Sequence, residues 1–115
     1  MTLATAGAFP ATQSTGVNSF ATGTYTGDGS GAFNVVLGFT PRYVKVFNET
    51  DAITWEWARG MAATKTFKTD SAVSVDTTSA IVPGSESLNS GPYLTFGGTT
   101  ALNINAKLYI WIAFG

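Results

Sequence analysis

Apolar and polar positions alternate with a period of two through the middle of the chain. Between Arg42 and Asn48, Val44 and Val46 fall on one side and Tyr43, Lys45 and Phe47 on the other. Between Ile53 and Ala58, the residues Ile53, Trp55 and Trp57 alternate with Thr54, Glu56 and Ala58. Successive side chains on a strand point to opposite faces, so each segment predicts a half-buried antiparallel strand. Strands are predicted likewise at Phe20 to Thr26, Ala32 to Leu37, Tyr93 to Phe96 and Leu102 to Ile104, with weaker β-branched segments at Thr64 to Lys68, Ala72 to Val75 and Ser79 to Val82. Lys107 to Ala113 is apolar at nearly every position, which predicts a strand covered on both faces. A long helix fits nowhere; helix-tolerant residues gather only around Ala58 to Ala63, where a short helical turn is the alternative to a loop.

Turn residues punctuate these segments. Gly27-Asp28-Gly29-Ser30-Gly31 predicts a tight turn between the first two strands, Pro83 to Pro92 a long loop, and Gly97-Gly98 a further turn. About eight short strands at regular spacing predict an all-β fold, an antiparallel β-sandwich of jelly-roll-like form. Residues 1–19 are small, hydroxylated and aperiodic, with Phe9-Pro10 as their bulky insertion. They predict an extended N-terminal arm, followed by the sandwich domain at residues 20–115. Such an arm is expected to be held by a neighbouring subunit, with Phe9, Pro10 and Phe20 as apolar anchors. The strand ending at Phe114-Gly115 is expected to anchor that terminus in the fold.

Composition narrows the chemistry. Among 115 residues there is no cysteine and no histidine, which removes disulfides, thiolate sites, the thiol nucleophile and the commonest general base and metal ligand. Six basic against seven acidic residues offer no cationic surface for nucleic acid or anionic lipid. The N-terminal residues lack both the charged and the apolar stretch of a secretory signal, and the longest apolar run, Leu108 to Phe114, is too short to span a bilayer. A soluble protein without nucleic-acid or membrane partners and without a cofactor is expected. Charged residues make up 11% of the chain against about 25% in an ordinary domain, so much of its surface is expected to be shared with neighbours.

Each candidate motif has a plainer alternative. The Gly27 to Gly31 cluster lacks the lysine of a phosphate loop and the terminal glutamate of a calcium loop. Glu49, Asp51 or Glu56 beside Trp55 and Trp57 could serve a glycosidase, which needs two carboxyls facing across a groove. Glu49-Thr50-Asp51 lies between two predicted strands, and a polar turn accounts for it better; no enzymatic activity is expected. Trp55, Trp57 and Trp111 could form a sugar shelf, but core or subunit-interface packing is the simpler expectation. Arg42, Arg59, Lys65 and Lys68 form a small cationic face or solvated edge charges.

The stretch Tyr25 to Asn48, YTGDGSGAFNVVLGFTPRYVKVFN, followed by WEWARGM at Trp55 to Met61, resembles small structural proteins of tailed-bacteriophage virions. The likeness extends over Tyr25 to Val82, and Gly38-Phe39-Thr40-Pro41 and Trp55-Glu56-Trp57 are its most recognisable parts. It implies a homo-oligomer, commonly a trimer, on the outer surface of a virion and bound to the major capsid protein or other virion subunits. It carries over no catalytic residues. Two functions follow as expectations. The first is a capsid decoration or cement subunit, contacting its partner through Phe9, Pro10, Phe20, Trp55, Trp57 and Arg59. The alternative is a tail or fibre module that binds a bacterial surface glycan.

Overall fold

The computed structural model describes residues 19–62, 64–84, 92–97 and 101–115. They are all-β: nine strands and, among the described residues, no helix. The strands are β1 (Phe20–Thr26), β2 (Phe33–Val36), β3 (Tyr43–Asn48), β4 (Ile53–Ala58), β5 (Thr66–Thr69), β6 (Val73–Asp76), β7 (Ile81–Gly84), β8 (Tyr93–Phe96) and β9 (Leu108–Phe114). They form two antiparallel sheets, one of six strands in the order β1-β9-β3-β4-β5-β6 and one of three in the order β2-β8-β7. The arm expected at residues 1–19, with Phe9 and Pro10, lies outside the described residues apart from Ser19, as do residues 85–91 of the expected long loop, whose first residues Pro83 and Gly84 belong to β7 instead.

The period-two pattern sets which face each strand buries. Val44 and Val46 of β3, Trp55 and Trp57 of β4, and Tyr109, Trp111 and Ala113 of β9 point inward from the large sheet. Ile81, Leu94 and Phe96 of the small sheet join them in one core. Tyr25 stands at the centre, its ring stacked on Phe33 at 4.3 Å, Tyr109 at 4.9 Å and Phe96 at 5.8 Å, so that it bridges the two sheets. Near-parallel aromatic rings at such separations add to the area they bury.

Three expectations change. The Gly27 to Gly31 cluster does not close a hairpin: β1 pairs with β9 and β2 with β8, so the cluster carries the chain from one sheet to the other. Leu102 to Ile104 is not a strand. Leu102 and Asn103 are both buried, and side chains hold this segment: the Tyr25 and Tyr109 hydroxyls donate to the Leu102 and Ala101 carbonyls at 2.7 and 2.9 Å. The Ile104 amide donates to the Tyr109 hydroxyl at 3.0 Å. After Ala58, where a loop or a short helical turn was expected, the chain makes a turn, with the Met61 amide donating to the Ala58 carbonyl.

The third change concerns β9. Its inner residues are buried, but Leu108 and Phe114 on its other face are exposed, and Ile110 and Ile112 are half-buried. Three strands can back only part of a six-stranded sheet, and they back its inner side.

Candidate functional site

The outer face of the six-stranded sheet is the distinctive surface of the molecule. Directly paired residues share a face, so the ladder register writes this surface out row by row. At one end Phe20, Phe114, Tyr43 and Ala58 lie side by side across β1, β9, β3 and β4. The rings of Phe20 and Phe114 are 5.1 Å apart and those of Tyr43 and Phe114 6.2 Å, making an aromatic corner in which Phe20 is 55% exposed. Farther across the sheet Phe67, Val73 and Val75 of β5 and β6 are also exposed. The outer face of the small sheet is more ordinary: Asn34 and Thr95 meet there through a hydrogen bond of 2.8 Å.

At the opposite end of the large sheet, under the β3–β4 turn, lies a notch of about 430 Å³ lined chiefly by Phe47, Ala52, Ile53, Thr54 and Ile110, with Glu49 at its rim. The turn is locked by its own polar groups. The Asp51 amide donates to Asn48 Oδ1 at 2.9 Å, Asn48 Nδ2 donates to Asp51 Oδ2 at 3.1 Å, and Lys107 Nζ pairs with Asp51 Oδ1 at 3.1 Å.

The segment around Pro41 and the turn after β4 meet beside the aromatic corner. Arg59 Nη2 donates to the Pro41 carbonyl at 3.2 Å, and the Arg59 amide donates to the Arg42 carbonyl at 2.8 Å. The Arg42 amide in turn donates to the Phe114 carbonyl. Gly38 has φ of 80°, a left-handed conformation that glycine adopts without a Cβ clash. Phe20 and Arg59 thus lie at one end of the sheet. Trp55 and Trp57 do not reach this surface: they are 1% and 7% exposed and point into the core. Trp55 Nε1 donates to Asp76 Oδ2 at 3.2 Å, and Lys68 Nζ stands 5.7 Å from the centre of its ring. Two buried tryptophans offer no stacking shelf for a sugar.

The carboxylates fall into structural roles. Glu56 lies on the outer face, opposite in direction to the tryptophans beside it, and Glu56 Oε2 accepts a 2.5 Å hydrogen bond from the Tyr43 hydroxyl. Burial, and then donation to Glu56, pushes the Tyr43 hydroxyl up to about 12. Asp28 Oδ1 accepts from the Ser30 hydroxyl at 2.6 Å, the Ser30 amide at 2.9 Å and Asn103 Nδ2 at 2.8 Å. Those bonds, led by the Ser30 hydroxyl, hold the Asp28 carboxyl below its usual range. The glycine cluster is therefore tied to the 101–107 segment. Among the described residues no three His, Cys, Asp or Glu side chains converge as metal ligands, and no helix is long and apolar enough to cross a membrane.

Sequence periodicity located the aromatic strand but not which side of the sheet would remain open. The signal lay in β9, where apolar residues on both faces exceed what one buried face needs. No protein-family model, curated protein or solved structure matches the chain.

Proposed function

We propose that the chain is a non-enzymatic structural subunit of a tailed-phage virion, a capsid decoration protein that bridges neighbouring capsid subunits on the outer surface of the head. The observation that carries this reading is the exposed apolar face of the six-stranded sheet, with its aromatic corner of Phe20, Phe114 and Tyr43. Contiguous apolar surface of this kind marks contact sites on soluble proteins. The corner stands where residues 1–19 lead into β1, so the arm and Phe20 would engage the shell together, and Arg59 lies at the same end of the sheet. Contacts repeated by the symmetry of a shell gain strength from effective concentration, without any one of them being tight. No cofactor is needed for such a role.

The test uses phage heads stripped of the protein, incubated with the purified full chain or with a chain lacking residues 1–19. Bound protein per head is measured by sedimentation. The full chain is expected to bind and the shortened chain to stay in the supernatant with its β-sheet circular dichroism intact. Equal occupancy by both, or failure of the full chain to bind, overturns the reading.

A further inference from the structure

One row across the outer face of the large sheet reads Thr22, Ile112, Lys45, Glu56, Phe67 and Val75, from β1 to β6. Its middle holds opposite charges, flanked on each side by an apolar residue. Lys45 and Glu56 are direct cross-strand partners, yet each turns elsewhere: Lys45 Nζ stands 5.0 Å from the centre of the Phe47 ring, and Glu56 accepts from Tyr43. Among the described residues the one ion pair is Lys107 with Asp51, so neither central charge has an ionic partner there.

We infer that this face pairs with the same face of a second copy, about a two-fold axis running parallel to the strands between β3 and β4. That rotation lays Lys45 over the Glu56 of the other copy and Glu56 over its Lys45. It also lays Ile112 over Phe67 and Thr22 over Val75. A two-fold interface must be complementary to itself, and this row is, in charge and in apolar character. The neighbouring row of Thr24, Ile110, Phe47, Thr54, Thr69 and Val73 carries no charge, so the pairing creates no repulsion there. Aligned face-to-face packing of twisted sheets is a standard arrangement.

The exposed Phe67, Val73, Val75 and Leu108 side chains leave on the order of 300 Å² of apolar surface open, which is the lower end of a functional patch on a monomer. The half-buried Lys45, Phe47, Glu56, Ile110 and Ile112 lie between them, so pairing would cover one continuous stretch of the face. A net charge of −1 sets little long-range repulsion against self-association. The same rotation lays Tyr43 over the Ala58 of the facing copy and leaves Phe114 and Phe20 beyond the ends of its β5 and β6, so these two phenylalanines stay free for another partner. The pairing therefore does not depend on the decoration role.

The experiment measures the mass of the purified full-length chain by analytical ultracentrifugation across a concentration series, for wild type, Lys45→Glu, Glu56→Lys and the double exchange. The wild type is expected to be a dimer. Each single reversal sets like charges over one another twice and is expected to weaken association more than about tenfold. The double exchange restores opposite charges and is expected to recover dimerisation. Phe67→Ser, at a side chain 47% exposed in the single chain, is expected to dissociate the dimer while leaving thermal unfolding cooperative. A monomer or trimer mass for the wild type overturns the inference, as does a double exchange that remains as dissociated as the single variants. Particle binding is measured separately, so either conclusion can fail alone.

Discussion

The indole of Trp111 occupies the space where a side chain on Gly23 would stand. The two are cross-strand partners in β9 and β1, and a Cβ built on Gly23 would lie 2.7 Å from Trp111 Nε1 and 2.9 Å from Cε2 and Cζ2. Glycine is needed here for the room it leaves, because a core tryptophan fills it. Gly23→Ala is expected to push the ring off its site and lower stability by about 1–3 kcal/mol. The midpoint of chemical unfolding and the tryptophan emission of the folded state, which shifts when an indole moves toward water, check this.

Tyr25 holds the 101–107 segment by one hydroxyl. Tyr25→Phe keeps the stacked rings but leaves the buried Leu102 carbonyl without that 2.7 Å bond. A loss of about 1–3 kcal/mol is expected, the cost of a buried acceptor left unpaired. Amide exchange in the 101–107 segment should speed up more than in β3 and β4, which make no bond to this hydroxyl; uniform acceleration counts against a local role.

Left-handed backbone at a residue with a Cβ is a source of recoverable stability. Ala52 and Ala106 have φ of 59° and 65°. Ala52→Gly and Ala106→Gly are each expected to change stability in the favourable direction by up to about 1 kcal/mol, since relief of the Cβ clash outweighs the added freedom of the unfolded chain. Thermal melts of the two variants, compared with Ala58→Gly as a control in β4, measure the difference.

Acid sensitivity has a definite sign. Asp28, Asp70 and Asp76 all titrate below the ordinary value of 3.8. For Asp28 the chief cause is the Ser30 hydroxyl, and for Asp70 the Ala72 amide. At Asp76 partial burial pushes upward, but hydrogen bonds from Thr78 and Trp55, with Lys68 nearby, outweigh it. A carboxyl with a depressed folded value contributes stability that is complete above 3.8 and is lost as pH falls through that value and below it. Unfolding midpoints are expected to be flat with pH just above this window and to fall within it. Asp28→Asn should reduce the slope there. An unchanged slope would mean that the Asp28 bonds are not retained in solution.

Much of the sheet was readable before folding. β1, β4 and β8 lie at the expected residues, and β3 begins one residue later, because their alternation has one physical solution, a strand with one buried side. The link between β1 and β2 was not readable, since glycines that permit a hairpin also permit a step between sheets. Neither was Leu102 to Ile104, whose conformation comes from the Tyr109 hydroxyl and from Tyr25 and Asp28, more than seventy residues away in sequence. Phe20 was legible as the first residue of β1 and an apolar anchor, while its exposure on the outer face comes from the structure. The inward direction of Trp55 and Trp57 depended on which side of β4 the small sheet would cover, and that sheet is assembled from β2, β7 and β8, which are separated in sequence.

The position of β9 between β1 and β3 has a consequence for biogenesis. Thr22 and the Trp111 carbonyl it bonds are 89 residues apart, so β1 has no partner until nearly all the intervening chain exists. At ribosomal speeds of about 5–20 residues per second this is a delay on the order of ten seconds, during which the edge of β3 and the inner tryptophans of β4 stand open. The closing step is then a long-range capture of the kind that folds slowly. Nascent copies made side by side in an expressing cell must pass through that interval before they are safe from one another, and co-expressed chaperones are expected to raise the soluble yield more than lowering the final temperature of storage does.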